Sequence, residues 1–113
     1  MQYTSKDLLA KKTPPIKKGD YLYFIQAKNT GLIKIGRTKN PDTRFRNLQT
    51  GNGEELRMIA CFEGWGWREP SIHELLKRWR LQGEWFSVEC VGSIPEDIYE
   101  NIPIGAFDTW WCE

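Results

Sequence analysis

The sequence has no apolar run long enough to cross a membrane. Its opening residues, "MQYTSKDLLAKKTPP", lack the apolar block of a secretion signal. It has three cysteines, Cys61, Cys90 and Cys112, widely spaced and without a CxxC pair, which argues against a disulfide framework and a cysteine-held zinc. A reducing cytoplasm is the expected setting. There is one histidine, His73. There is also almost no net charge: 16 Lys and Arg stand against 15 Asp and Glu, so the chain is no polycationic coat for nucleic acid and any attraction for an anion must be local. Aromatic residues, six Trp among them, are too plentiful for a disordered chain, and 113 residues suit one domain with a modest core.

Against that neutral balance, one segment stands out. "GLIKIGRTKNPDTRFRNLQTGN" (31–52) carries Lys34, Arg37, Lys39, Arg44 and Arg46 around a strand-to-helix turn, a local site for an anion. The order of elements around it can be read from pattern. "DYLYFIQA" (20–27) is β-branched and aromatic, a strand. "KNTG" is a hairpin turn in which Asn29 and Gly31 can take positive φ. "LIKIGRT" is the returning strand, with Lys34 on a different face from Ile33 and Ile35. In "KNPDTRFRNLQT", Asn40 is suited to cap a helix, Pro41 to its first position and Asp42 to the positive end of its dipole. Phe45 and Leu48 are expected to bury. "LRMIACFE" alternates as a half-buried strand. "GWGW" is a turn, "REPSIHELLKRWRL" a strong helix and "GEWFSVECV" a short strand or hairpin. This predicts an α+β domain: a small, mainly antiparallel, three-stranded sheet flanked by helices, in the order β-β-α-β-α followed by a short strand and tail. The expected division is a polar arm (1–18) that includes a short helix or loose stretch at "SKDLLAKK", a central domain (19–90) and an aromatic C-terminal extension (91–113) packed on it.

Four polar positions gather in that layout. Tyr23 and Lys34 lie at comparable distances from the hairpin turn, so they can be cross-strand neighbours. Arg44 can overhang the same sheet face. Glu69 opens the second helix and shares a side with His73, four residues on.

These residues carry a resemblance to the GIY-YIG nuclease superfamily. "YLY" (21–23) stands for the first triplet and "KIG" (34–36) for the second, followed by Arg44 on a helix and Glu69 at the start of another. Tyr23 precedes Lys34 by eleven residues and Lys34 precedes Arg44 by ten. The ordered set "LIKIGRT…R…LQTGN…E…IH…GEWF" is similar to a compact branch common in phage and bacterial genomes, and the likeness runs from Asp20 to about Phe86. The superfamily pattern has Tyr where this chain has Lys34, and Gly where it has Tyr21.

The resemblance implies an endonuclease that hydrolyses DNA phosphodiesters with a single Mg²⁺ or Mn²⁺, RNA being open as a substrate. Glu69 would hold the metal. Arg44 would stabilise the charge of in-line attack, Tyr23 or Lys34 would position or deprotonate the attacking water, and His73 would assist. Arg37, Lys39, Arg46, Lys77 and Arg78 are further expected contacts to the phosphate backbone. Glu84 of "GEWF" is expected to be structural or supporting, with Trp85 and Phe86 in the core. Two other readings share these residues: a module of the same fold that binds nucleic acid or protein without catalysis, and a protein-interaction domain docking through Phe107, Trp110 and Trp111. A homodimer or a protein partner is compatible with each.

Overall fold

The computed structural model describes residues 19–103 and residue 106. The expected arm (1–18), Cys112 and the aromatic trio Phe107, Trp110 and Trp111 lie outside the described residues.

The chain first makes a hairpin. Strand β1 (Tyr21–Ala27) turns through Gly31, at φ 75°, into β2 (Ile33–Thr38). Glu54 holds that turn from outside: its carboxylate accepts from the backbone N–H of Asn29 and Thr30 at 2.9 and 3.0 Å. Helix α1 (Pro41–Thr50) follows, and the Asn40 side chain accepts from the N–H of Thr43 at its N-terminus. Pro41 needs no amide partner at that position, and Asp42 lies in the positively charged first turn. Strand β3 (Leu56–Glu63) then pairs along the outer side of β1, with a bulge that leaves Ile59 extra between the partners of Phe24 and Ile25.

The expected long second helix is much shorter. A 3₁₀ turn (Gly66–Arg68) leads into α2 (Glu69–Leu75), which ends within two turns; a second 3₁₀ turn (Lys77–Trp79) then delivers Arg80–Gln82 as strand β4. Gly83, at φ 57°, turns the chain into β5 (Trp85–Phe86). The pattern that reads as one helix therefore runs into a strand, because Arg80 is recruited by pairing with Phe86 of β5 and Gln82 with Trp85. This is also why three strands were too few. Among the described residues the sheet has five, in the order β3-β1-β2-β5-β4, with every neighbouring pair antiparallel.

The two faces of this sheet are dressed differently. On one, Leu22, Phe24, Ile33, Ile35, Ile59 and Phe86 pack against Ile72 and Leu76 of α2. The chain after β5, a 3₁₀ segment (Val88–Ser93) and a short helix α3 (Glu96–Tyr99), adds Cys90, Ile94, Ile98 and Ile102 to that same core. Arg68 pins α3 to the front of α2 with a forked pair to Asp97 and lies 4.9 Å from the centre of the Trp65 ring. On the other face, Tyr23, Ile25, Ala27 and Leu56 are covered, among the described residues, by Phe45 and Leu48 of α1, with Met58 and Trp85 at the margins. No residue of α1 is itself fully buried. No helix among the described residues is long and apolar enough to cross a membrane.

Candidate functional site

The polar cluster is centred on Gly36 in β2. Tyr23 is its direct cross-strand partner, and the Tyr23 ring lies across the space a side chain at residue 36 would fill: a Cβ there would collide with the phenol. Lys34 is not opposite Tyr23, as the hairpin suggested, but opposite Ile25. The two remain on one face, one diagonal step apart, because β2 alternates Ile33 and Ile35 into the large core and Lys34 and Gly36 away from it.

Arg44 reaches this face from α1, as expected. Its Nε donates to the Tyr23 phenol oxygen at 3.3 Å. Arg44 is exposed, whereas Tyr23 has no exposed surface at all. Burial pushes the Tyr23 hydroxyl above the usual tyrosine range, further than the opposing pull of Arg44 brings it back, and the charges of Glu84 and Glu69 act in the same direction as burial. In this arrangement the phenol keeps its proton at neutral pH. Contact with the phenol raises the Arg44 guanidinium as well, so the cation is permanent.

The carboxylates come from the other side of β2. Strand β5 is only two residues long, so its pairing with β2 runs out early. The amide N–H of Ile35 still finds the Glu84 carbonyl, at 3.2 Å, and the Ile35 carbonyl is taken by Nε2 of His73, which donates to it at 2.7 Å. His73 therefore docks α2 onto the open strand edge, with its ring edge-on to Phe86 at 5.1 Å between centres. The helper role expected of it is narrowed by this geometry, since its Nε2 proton is committed to backbone and reaches Glu69 only at 3.9 Å.

One turn earlier on α2, Glu69 comes within electrostatic range of Glu84 and of the Tyr23 phenol. Burial raises its carboxyl, and so does Glu84, which lies within hydrogen-bonding reach; His73 and Arg37 pull the other way. Glu84, expected to be a supporting residue, is thus a member of the cluster. It also binds Lys34, with Nζ 3.1 Å from Oε1. The Lys34 side chain is only 9% exposed and its Nζ sits 5.6 Å from the centre of the Trp85 ring, so Glu84 is its charge partner and Trp85 part of its cover.

The other basic residues fare differently. Arg37 is forked onto Asp20 at 3.0 and 3.2 Å, close enough for its charge to be felt at Glu69. Asp20, expected as the first residue of the strand, lies just before β1. Arg46 bonds back to Thr43 on its own helix, Lys77 pairs with Glu74 at 2.7 Å, and Arg78 lies over Trp79. Lys39 is exposed beside the helix start.

Among the described residues no group of three or more His, Cys, Asp and Glu side chains is arranged to hold a metal ion. Two carboxylates, Glu69 and Glu84, lie side by side with incomplete charge compensation. Such a donor pair fits a hard cation that keeps most of its water and takes one or two carboxylates from the protein, as Mg²⁺ does. Neither a curated protein nor a solved structure matches the chain. A family model does, that of the T5orf172 domain, over residues 20–102. That span begins at Asp20, contains every member of the cluster around Gly36 and ends at the last isoleucine of the core, and by it the chain belongs to the T5orf172 domain family.

Proposed function

We propose that this protein is a metal-dependent endonuclease of the GIY-YIG type, hydrolysing phosphodiester bonds of DNA. The observation that carries the reading is the convergence on Gly36 of a phenol, an ammonium, a guanidinium and a carboxylate from four separate elements.

A phosphodiester gains negative charge on its non-bridging oxygens during in-line attack. Arg44, exposed, always charged and anchored through Nε to Tyr23, has its two terminal nitrogens available to meet those oxygens. The Tyr23 phenol, itself buried, accepts from Arg44 and so fixes where that guanidinium stands over the sheet face. With its proton held tightly by burial, the phenol does not act as the base for the attacking water in this arrangement. Lys34, tethered by Glu84, contributes a fixed positive charge one diagonal step away. Glu69 and Glu84 would hold a Mg²⁺ or Mn²⁺, which supplies charge neutralisation on the phosphate and the leaving oxygen. His73 holds α2, and with it Glu69, against β2.

The test is nicking of a supercoiled plasmid with Mg²⁺ or Mn²⁺. Glu69→Ala and Arg44→Ala should each lower the rate by about 100-fold or more, the loss typical of one charge-stabilising group. Nicking that survives Glu69→Ala overturns the reading.

A second reading is favoured by one observation: Tyr23 is fully covered and Lys34 is neutralised by Glu84, so both proton acceptors are closed off. On that reading the domain grips nucleic acid without cutting it. Retention on DNA with no nicking, unchanged by Glu69→Ala, distinguishes it.

A further inference from the structure

Beyond Trp85, on the thinly covered face of the sheet, lies a cleft of about 290 Å³. Its floor is apolar, made by Ala27, Leu32, Leu81 and Trp85, and its rim carries the amides of Asn52 and Gln82. Leu81 is 63% exposed, a large apolar residue held in the open by a three-residue edge strand. The acid that also borders the cleft, Glu54, spends its carboxylate on the turn at Asn29 and Thr30. Among the described residues no cation lines the cleft. It therefore suits an uncharged, flat, amide-bearing ring better than a phosphate.

Its place relative to the polar cluster says which ring. Along the hairpin the cross-strand rows run from Tyr23 with Gly36, through Ile25 with Lys34, to Ala27 with Leu32, whose carbonyl accepts from the Ala27 N–H at 2.9 Å. Four residues of strand separate the first row from the last, about 13 Å at 3.3 Å per residue. Trp85 bridges the two ends, with Lys34 near its ring while the same side chain lines the cleft. A nucleic-acid strand with a phosphate at Arg44 reaches the cleft within a few nucleotides, at 3.4 Å per stacked nucleotide. Arg44 stands at one end of these rows and the apolar lining of the cleft at the other.

We propose that this cleft is a base-binding subsite, which takes one unstacked nucleobase of a single-stranded or locally opened nucleic acid against Trp85 and Leu81. The inference rests on the nuclease reading only in assigning the neighbouring phosphate to Arg44. It names the preferred substrate class as a strand with an unpaired base a few nucleotides from the bound phosphate. Stacking on Trp85 supplies affinity without selecting a sequence, because every base has a π-face, and the amide rim can meet a base edge.

The test uses the full chain and fluorescein-labelled oligonucleotides in EDTA, so that binding is read by anisotropy without turnover. A single strand should bind more tightly than the matched duplex. When one abasic site is walked along that strand, a single position or two adjacent ones should lose about tenfold in affinity, the loss of one stacked base. Leu81→Ser, at an exposed position, and Trp85→Leu, with its fold verified by circular dichroism, should each weaken binding by a similar factor and make the sensitive abasic position silent. Equal affinity at all abasic positions, or variants that bind like the parent, overturns the subsite even where Glu69-dependent nicking is found. A sensitive position without any nicking leaves the subsite standing and removes the nuclease reading. A chain that instead self-associates through Leu81, with oligonucleotide affinity indifferent to it, also overturns the proposal.

Discussion

The two faces of one five-stranded sheet have been put to opposite uses. Against the first, the described chain lays α2, α3 and three 3₁₀ turns, and closes a core of aliphatic and aromatic side chains. Against the second, among the described residues, it lays α1, which buries none of its own residues completely, and there it places Tyr23, Lys34 and Arg44. Strong cover on one side is what permits thin cover on the other. A buried phenol, an ammonium and two neighbouring carboxylates are costly to assemble, and an already closed core offsets that cost. Strand β2 serves both faces, since alternation sends Ile33 and Ile35 one way and Lys34 and Gly36 the other.

The contrast can be broken most directly by truncating one residue on each face. Phe24→Ala removes a fully buried ring from the thick side and should cost about 3–5 kcal/mol in urea unfolding. Leu48→Ala on α1, only half-buried, should cost about 1 kcal/mol. Equal losses would mean that α1 covers its face as completely as α2 covers the other.

A smaller effect is expected at the charge pair. Glu84→Gln leaves Lys34 enclosed without its partner. Because Glu84 is 40% exposed and water can stand in for it, the cost should be about 1–3 kcal/mol, below that of breaking a fully buried pair. Adding Lys34→Met should restore part of that loss, read as a positive coupling in the double-mutant cycle. If the second substitution only adds to the damage, Lys34 is held by something other than Glu84.

The smallest effect concerns pH. Burial raises the Tyr23 hydroxyl, so the folded chain keeps a proton that the unfolded chain releases from about pH 10 upward. The native state then binds more protons than the unfolded state, and stability from this group falls as pH rises through that range. Tyr23→Phe should flatten the decline in melting temperature above about pH 10 without abolishing it, since other groups titrate there too. An unchanged slope would place Tyr23 in contact with water.

Much of this was legible in the residues. The Asn40–Pro41–Asp42 start of α1, the hairpin through Gly31 and the full extent of β3 follow from local chemistry that any surrounding structure would have to respect. Where pairing with a distant strand decides, pattern misleads. "HELLKRWRL" has helical periodicity, yet its last residues become β4 because β5 offers a partner. The register of Tyr23 opposite Gly36, with Lys34 one step off, depends on turn geometry that composition does not encode. Glu84 looked peripheral because its turn is remote in sequence from Lys34 and Glu69.

The sequence by itself determined which groups this protein has for handling an anion, and which local elements carry them, since caps, turns and alternation act over a few residues. Only the tertiary structure decided that β5 ends early, that His73 takes the strand edge it leaves open, and that Glu69 and Glu84 stand together. Those outcomes depend on which distant backbone groups find partners, a competition settled by the whole sheet at once.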